Sequence, residues 1–148
     1  MIAFIALGSN IGDRAKNISD GIDWLGKLGL AIPSPLVLET EDETSTGPPY
    51  LNTVVRLDTP ISDARALLEE CLRIEIALGR DRRLPTNSPR TLDLDLIMIE
   101  GWRGAWEWDA PADLLQLGPK LSLILPHPRA SSREFVVKPL EALGEQVS

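Results

Sequence analysis

Two aspartates two residues apart, Asp93 and Asp95, are the groups in this sequence best placed to do chemistry. They sit in an alternating run: Leu92, Leu94, Leu96 and Met98 are expected on one face of a strand, and Thr91, Asp93, Asp95, Ile97 and Ile99 on the other. At strand rise the two aspartate Cα atoms stand roughly 6.6 Å apart on the same face. Acidic residues lower strand propensity, and a hard divalent cation would offset that. Mg²⁺ takes one or two carboxylates and fills its other positions with water and phosphate oxygens. The preceding segment supplies Arg80, Arg82, Arg83 and Arg90, guanidinium forks suited to phosphate. Carboxylates for a metal beside arginines for phosphate point to phosphoryl transfer, where positioning and charge neutralisation carry most of the catalysis. The plainer account is an edge strand with solvated aspartates that pair with those arginines across a loop. No Gly-x-x-x-x-Gly-Lys-Ser/Thr run occurs, so nucleotide binding by a P-loop is excluded.

A carboxylate in an unusual place reinforces the first reading. Pro60-Ile61-Ser62 opens a helix with Ser62 as the expected N-cap, running to about Leu78 and stopping at Gly79. Ala64, Leu67, Leu68, Cys71, Leu72 and Leu78 form its apolar stripe. Glu75 falls on that stripe, and a carboxylate there is costly unless paired. Either it reaches solvent or Arg80 at the stripe's margin, or it lines the site beside Asp93 and Asp95. His127, the one histidine, is clamped between Pro126 and Pro128 with Arg129 and Arg133 nearby, which favours a phosphate-facing role.

The elements that position these groups follow in order. Residues 2–8 read as a buried strand stopped by Gly8-Ser9-Asn10, and Asp13 caps a helix over about 15–29. A β segment over roughly 32–39 carries Pro33 and Pro35 and belongs at a sheet edge. A polar loop over 40–49 precedes a strand over 50–57. After the strand at 91–99 comes a long excursion over 100–120 holding Trp102, Trp106 and Trp108, with no function assigned. A short strand at 121–125 follows, then a short helix capped by Ser131 or Ser132, and residues 135–140 lead into a final turn. This order predicts an α+β, ferredoxin-like sandwich: split βαβ units with an antiparallel sheet and helices.

The 148 residues suit one domain spanning 1–148. A net charge of −7 argues against a nucleic-acid partner. The single cysteine, Cys71, cannot form an internal disulfide and fits a reducing compartment, and no apolar run reaches membrane-spanning length. A cytoplasmic location, no membrane association and a monomeric state are the expectations.

Five motifs in order resemble the 6-hydroxymethyl-7,8-dihydropterin pyrophosphokinase family of folate biosynthesis over nearly the whole chain. They are Ala6-Leu7-Gly8-Ser9-Asn10-Ile11-Gly12-Asp13; Tyr50-Leu51-Asn52; Arg73-Ile74-Glu75 with Gly79-Arg80; Pro89-Arg90-Thr91-Leu92-Asp93-Leu94-Asp95; and Leu125-Pro126-His127-Pro128-Arg129 with Arg133 and Phe135. The resemblance implies transfer of the β,γ-pyrophosphoryl group of ATP, the co-substrate, to the hydroxymethyl group of a dihydropterin, releasing AMP. It implies two Mg²⁺ ions on Asp93 and Asp95, which together with Arg80 and Arg90 form the catalytic set. Glu75, Arg82, His127 and Arg133 would lie on the ATP side. Tyr50 and Phe135 would sandwich the pterin, while Asn52 and the Thr40 backbone read its edge. The chain departs from the family pattern at Asn87-Ser88, where Trp-Gly is usual, and at Glu41-Asp42-Glu43, where a proline normally follows the threonine. Its loop there is slightly short, and residues 100–120 are longer than usual. Two rival readings remain: a relative acting on a different pterin alcohol or acceptor, and a non-catalytic pterin- or nucleotide-binding module.

Overall fold

The computed structural model describes residues 1–41, 47–79 and 91–147. Arg80, Arg82, Arg83, Asn87, Ser88 and Arg90 lie outside those residues, as do Asp42 and Glu43. Strands β1 (Ile2–Ser9), β2 (Leu30–Pro33), β3 (Leu38–Thr40), β4 (Tyr50–Asp58) and β5 (Asp93–Ile99) form one antiparallel sheet. Its order is β2-β4-β1-β5, with β3 also paired to β4. Helix α1 (Arg14–Gly26) joins β1 to β2, and α2 (Ala64–Ala77) joins β4 to β5. Each helix connects two strands separated by a third, which is the split βαβ of a ferredoxin-like α+β fold.

The sheet has a core on each face. Ala3, Ile5, Leu7, Val55 and Leu57 meet α1 and α2 through Ile18, Leu25, Leu67, Cys71 and Ile74. Phe4, Val54, Ile97 and Met98 meet α3 (Glu134–Ala142) through Val136 and Leu140. Asp13 caps α1 by accepting from Lys16 N at 3.1 Å. That helix stops at Gly26 rather than running on to Gly29. Gly29 instead lies against the Asp58 carbonyl and Thr59 backbone, where a Cβ has no room, so the chain turns into β2 there. The expected segment at 32–39 is two short strands, broken where Ser34 Oγ donates to the Pro139 carbonyl at 2.8 Å.

Four further expectations are corrected. The N-cap of α2 is Asp63, not Ser62: its carboxylate accepts from Arg65 N at 2.8 Å. Ile97 and Ile99 do not both share the aspartate face. The pairing of β1 with β5 slips between Phe4 and Ile5, so Ala3 faces Ile99, Phe4 faces Met98 and Ile5 faces Leu96, leaving Ile97 as an extra residue. Beyond that bulge Met98 joins the α3-side core, and Ile99 the other one.

Residues 100–120 are not a bare excursion either. They hold β6 (Gly104–Asp109) and a short 3-10 helix (Ala112–Leu117), and β6 pairs with β7 (Lys120–Leu125) as a second, two-stranded sheet. Finally, the short C-terminal helix is present as α3, but neither Ser131 nor Ser132 caps it; Arg133 occupies the N-cap without a side-chain bond. No helix among the described residues is long and apolar enough to cross a membrane.

Candidate active site

The sheet's own register assembles the site. Asn52 on β4 is opposite Gly8 on β1, and Gly8 is opposite Asp93 on β5. One step along, Ala6 stands between Val54 and Asp95. Directly opposed residues share a face, so both aspartates, Asn52, Gly8 and Ala6 look toward the α3 side. Gly8 and Ala6 contribute almost no side chain, and the space they leave is the floor of a cavity of about 650 Å³. Size and burial suit a small-molecule site.

One end of the cavity is aromatic. Tyr50 and Phe135 line it from β4 and α3, with Thr40 and Asn52 beside them. The Asn52 amide is locked: Nδ2 donates to Thr40 Oγ1 at 2.9 Å and to the Leu38 carbonyl at 3.3 Å. Its Oδ1 therefore lies over Gly8, 3.2 Å from where a Cβ would stand, and is presented as an acceptor. The Thr40 hydroxyl thus acts on Asn52, a role not visible in sequence. Asn10 Nδ2 and Arg14 Nη1 donate to the carbonyls of Pro48 and Pro49 at 3.3 and 3.0 Å, pinning the chain that enters Tyr50.

The middle is charged. Asp93 and Asp95 are half-buried, and the Tyr50 hydroxyl donates to Asp93 Oδ2 at a long 3.5 Å. Among the described residues no group of three or more His, Cys, Asp or Glu side chains could hold a metal. Two carboxylates in an open cavity fit Mg²⁺, which keeps water and substrate phosphate in its remaining positions; they do not make a four-ligand zinc site. Glu75 is 4% exposed and lines this cavity. Its Oε2 accepts from Leu94 N at 2.8 Å, the backbone amide between the two aspartates. A buried carboxylate thus satisfies a donor of the strand that carries them.

The bulge at Ile97 positions the histidine. Its carbonyl accepts from His127 N at 2.7 Å, which anchors the Pro-His-Pro turn at β5. Arg129 N donates to His127 Nδ1 at 3.2 Å, so the neutral ring carries its hydrogen on Nε2. Burial pushes the His127 pKa down; Asp95 opposes that shift, and Arg133 and Arg129 add to it. Arg133 lines the cavity and lies over the Phe135 ring at 5.6 Å.

The end nearest α2 is apolar. Leu68 and Leu72, assigned to the core stripe from their spacing, line the cavity with Ser122 and Ile124 of β7. The buried position that the stripe missed is Ile74. Cys71 is fully buried behind them, and burial raises its thiol pKa, so it is inert.

Of the residues singled out in sequence, Thr40, Tyr50, Asn52, Glu75, Asp93, Asp95, His127, Arg133 and Phe135 line this one cavity. Arg80, Arg82 and Arg90 fall outside the described residues.

Comparison with known proteins gives one consistent answer. The model of the 7,8-dihydro-6-hydroxymethylpterin-pyrophosphokinase family matches residues 4–145. A 2-amino-4-hydroxy-6-hydroxymethyldihydropteridine pyrophosphokinase of Methylorubrum extorquens is 33% identical over 149 residues, covering 96% of this chain and 82% of that protein. The Bacillus subtilis protein of the same name is 33% identical over 153 residues, covering 99% and 80%. The folic acid synthesis protein fol1 of Schizosaccharomyces pombe is 32% identical over 146 residues, 97% of this chain but 18% of its own length. The chain belongs to the 7,8-dihydro-6-hydroxymethylpterin-pyrophosphokinase family.

Proposed function

We infer that this chain transfers the β,γ-pyrophosphoryl group of ATP to the hydroxymethyl oxygen of 6-hydroxymethyl-7,8-dihydropterin, releasing AMP, as a step of folate synthesis. The observation that carries the residue assignments is the row Asn52–Gly8–Asp93 with Asp95 beside it. It puts a ring-edge acceptor, an empty floor and two carboxylates within one cavity.

The pterin ring lies over Gly8 between Tyr50 and Phe135, with the locked Asn52 Oδ1 accepting from its edge and the Thr40 backbone beside it. Its hydroxymethyl group then points toward Asp93 and Asp95. Those two carboxylates would hold the two Mg²⁺ ions, which would supply positive charge against the phosphates and ease deprotonation of the attacking hydroxyl. The hydroxyl oxygen loses its proton to solvent and bonds to the β-phosphorus, the bond from that phosphorus to the α,β-bridging oxygen breaks, and AMP leaves with that oxygen. His127, through Nε2–H, and Arg133 donate to phosphate oxygens, and Arg80, Arg82 and Arg90 supply further positive charge. Glu75 keeps the aspartate-bearing strand in place through Leu94. The base of ATP occupies the apolar end beside Leu68, Leu72 and Ile124. The reading further takes residues 1–148 as a single pyrophosphokinase-like domain. It works as a cytoplasmic monomer on small molecules, apart from membranes; the acidic net charge supports the absence of a nucleic-acid partner.

Removing the cation tests the metal assignment. Calorimetric titration with a non-hydrolysable ATP analogue is expected to show binding in Mg²⁺ that EDTA reduces by on the order of 10²-fold or more, since phosphate charge then faces two carboxylates with no cation between. Binding of equal strength in EDTA would remove the metal from Asp93 and Asp95.

A further inference from the structure

The Trp-rich hairpin takes no part in the chemistry above, yet it grips the helix that forms one wall of the cavity. In the β6–β7 register Trp106 is opposite Leu123, and Trp108 is opposite Leu121. These side chains share the core-facing side of the hairpin, and Trp102 meets Trp106 edge to face at 5.7 Å between centroids. Trp108 Nε1 donates to Glu69 Oε2 at 3.0 Å. Just beyond β6, Asp113 accepts the Arg73 guanidinium at 2.7 and 3.3 Å, and the same arginine holds Glu70 at 2.9 Å.

Glu69 and Arg73 are four apart on α2 and so share a face. Leu68 and Leu72 each precede one of them by a single residue, about 100° round the helix, and line the cavity. Holding Glu69 and Arg73 therefore sets the rotation that aims Leu68 and Leu72. The same hairpin supplies Ser122, Leu123 and Ile124 to the cavity lining. One clamp thus ties α2 to the hairpin, and both line the cavity.

We propose that Trp108 and Arg73 are positioning residues that fix the spacing of α2 and β7, and with it the width of the apolar end of the cavity to which the base of ATP is assigned above. The inference rests on the reading of this cavity as the ATP site. Trp108 carries more of the effect, because its bond is half-buried, whereas the Arg73–Asp113 pair is exposed and screened.

Steady-state kinetics with each substrate varied in turn separates the possibilities. Trp108→Phe keeps a ring but lacks the N–H, and Glu69→Gln keeps an oxygen acceptor. Trp108→Phe is expected to raise the ATP KM about tenfold, to weaken the preference for ATP over GTP, and to leave kcat and the pterin KM unchanged. Glu69→Gln should behave as wild type. Arg73→Gln, at an exposed site that tolerates change, should raise the ATP KM about twofold. An unchanged ATP KM and unchanged ATP-over-GTP preference in both Trp108→Phe and Arg73→Gln would overturn the clamp, as would kcat and both KM values worsening together. A wild-type protein that forms no AMP would sink the reading of the site itself, a distinct result.

Discussion

Asp95→Ala is expected to lose turnover by several kcal/mol of transition-state stabilisation, on the order of 10³-fold, with the fold intact. The reason is positional. Asp95 stands opposite Ala6 on the cavity face of β5, where it supports no core packing. Its neighbour Asp93 projects from the same face two residues away. Without a cation the two like charges repel. Alanine relieves that repulsion, so the melting temperature in EDTA should hold or rise, the usual relation between a functional site and stability. Comparing AMP release with the thermal melt of the same preparation checks both halves. Near-normal turnover would remove Asp95 from the metal site, and a large fall in melting temperature would make it a structural residue.

Gly8→Val should act at the other substrate. A Cβ at Gly8 would stand 3.2 Å from Asn52 Oδ1 and 3.4 Å from Tyr50 Cδ1, so even one methyl presses on the residues assigned to the pterin. Valine suits a strand and adds two further carbons to the cavity floor. Overfilling of a packed site costs about 1–3 kcal/mol, so the pterin KM should rise roughly 10- to 100-fold. Binding of the ATP analogue, whose base and phosphates are assigned beyond the aspartates, should be little changed. Steady-state kinetics with pterin varied, beside calorimetry with the analogue, reads the two effects separately. Equal loss of both ligands would place the pterin elsewhere.

What could be seen in sequence was whatever local spacing dictates. Asp13 as a cap, the Asp93–Asp95 pair and the stop at Gly79 follow from short-range chemistry, and so does the order of strands and helices that yields the fold. Features that depend on pairing were hidden. The bulge at Ile97 arises from the register of β5 on β1, and nothing within residues 91–99 announces it. Yet it is what presents the Ile97 carbonyl to His127 N.

Leu68 and Leu72 have the spacing of core residues and are apolar as core residues are. Only the placement of β7 makes their face a cavity wall. β6 escaped notice because Trp106-Glu107-Trp108 alternates for too few residues between glycine, proline and acids. The extent of the last helix was obscured by Pro139, which sits inside it and has no N–H to donate. The locking of Asn52 by the Thr40 hydroxyl is likewise a contact between strands, twelve residues apart in the chain.

Identifying the nucleotide and pterin products by ³¹P NMR, after incubating the protein with ATP, Mg²⁺ and 6-hydroxymethyl-7,8-dihydropterin, tests the central claim most directly. The geometry predicts AMP and a pterin pyrophosphate in equal amounts. ADP with a pterin monophosphate, or tight pterin binding with no turnover at all, would contradict it.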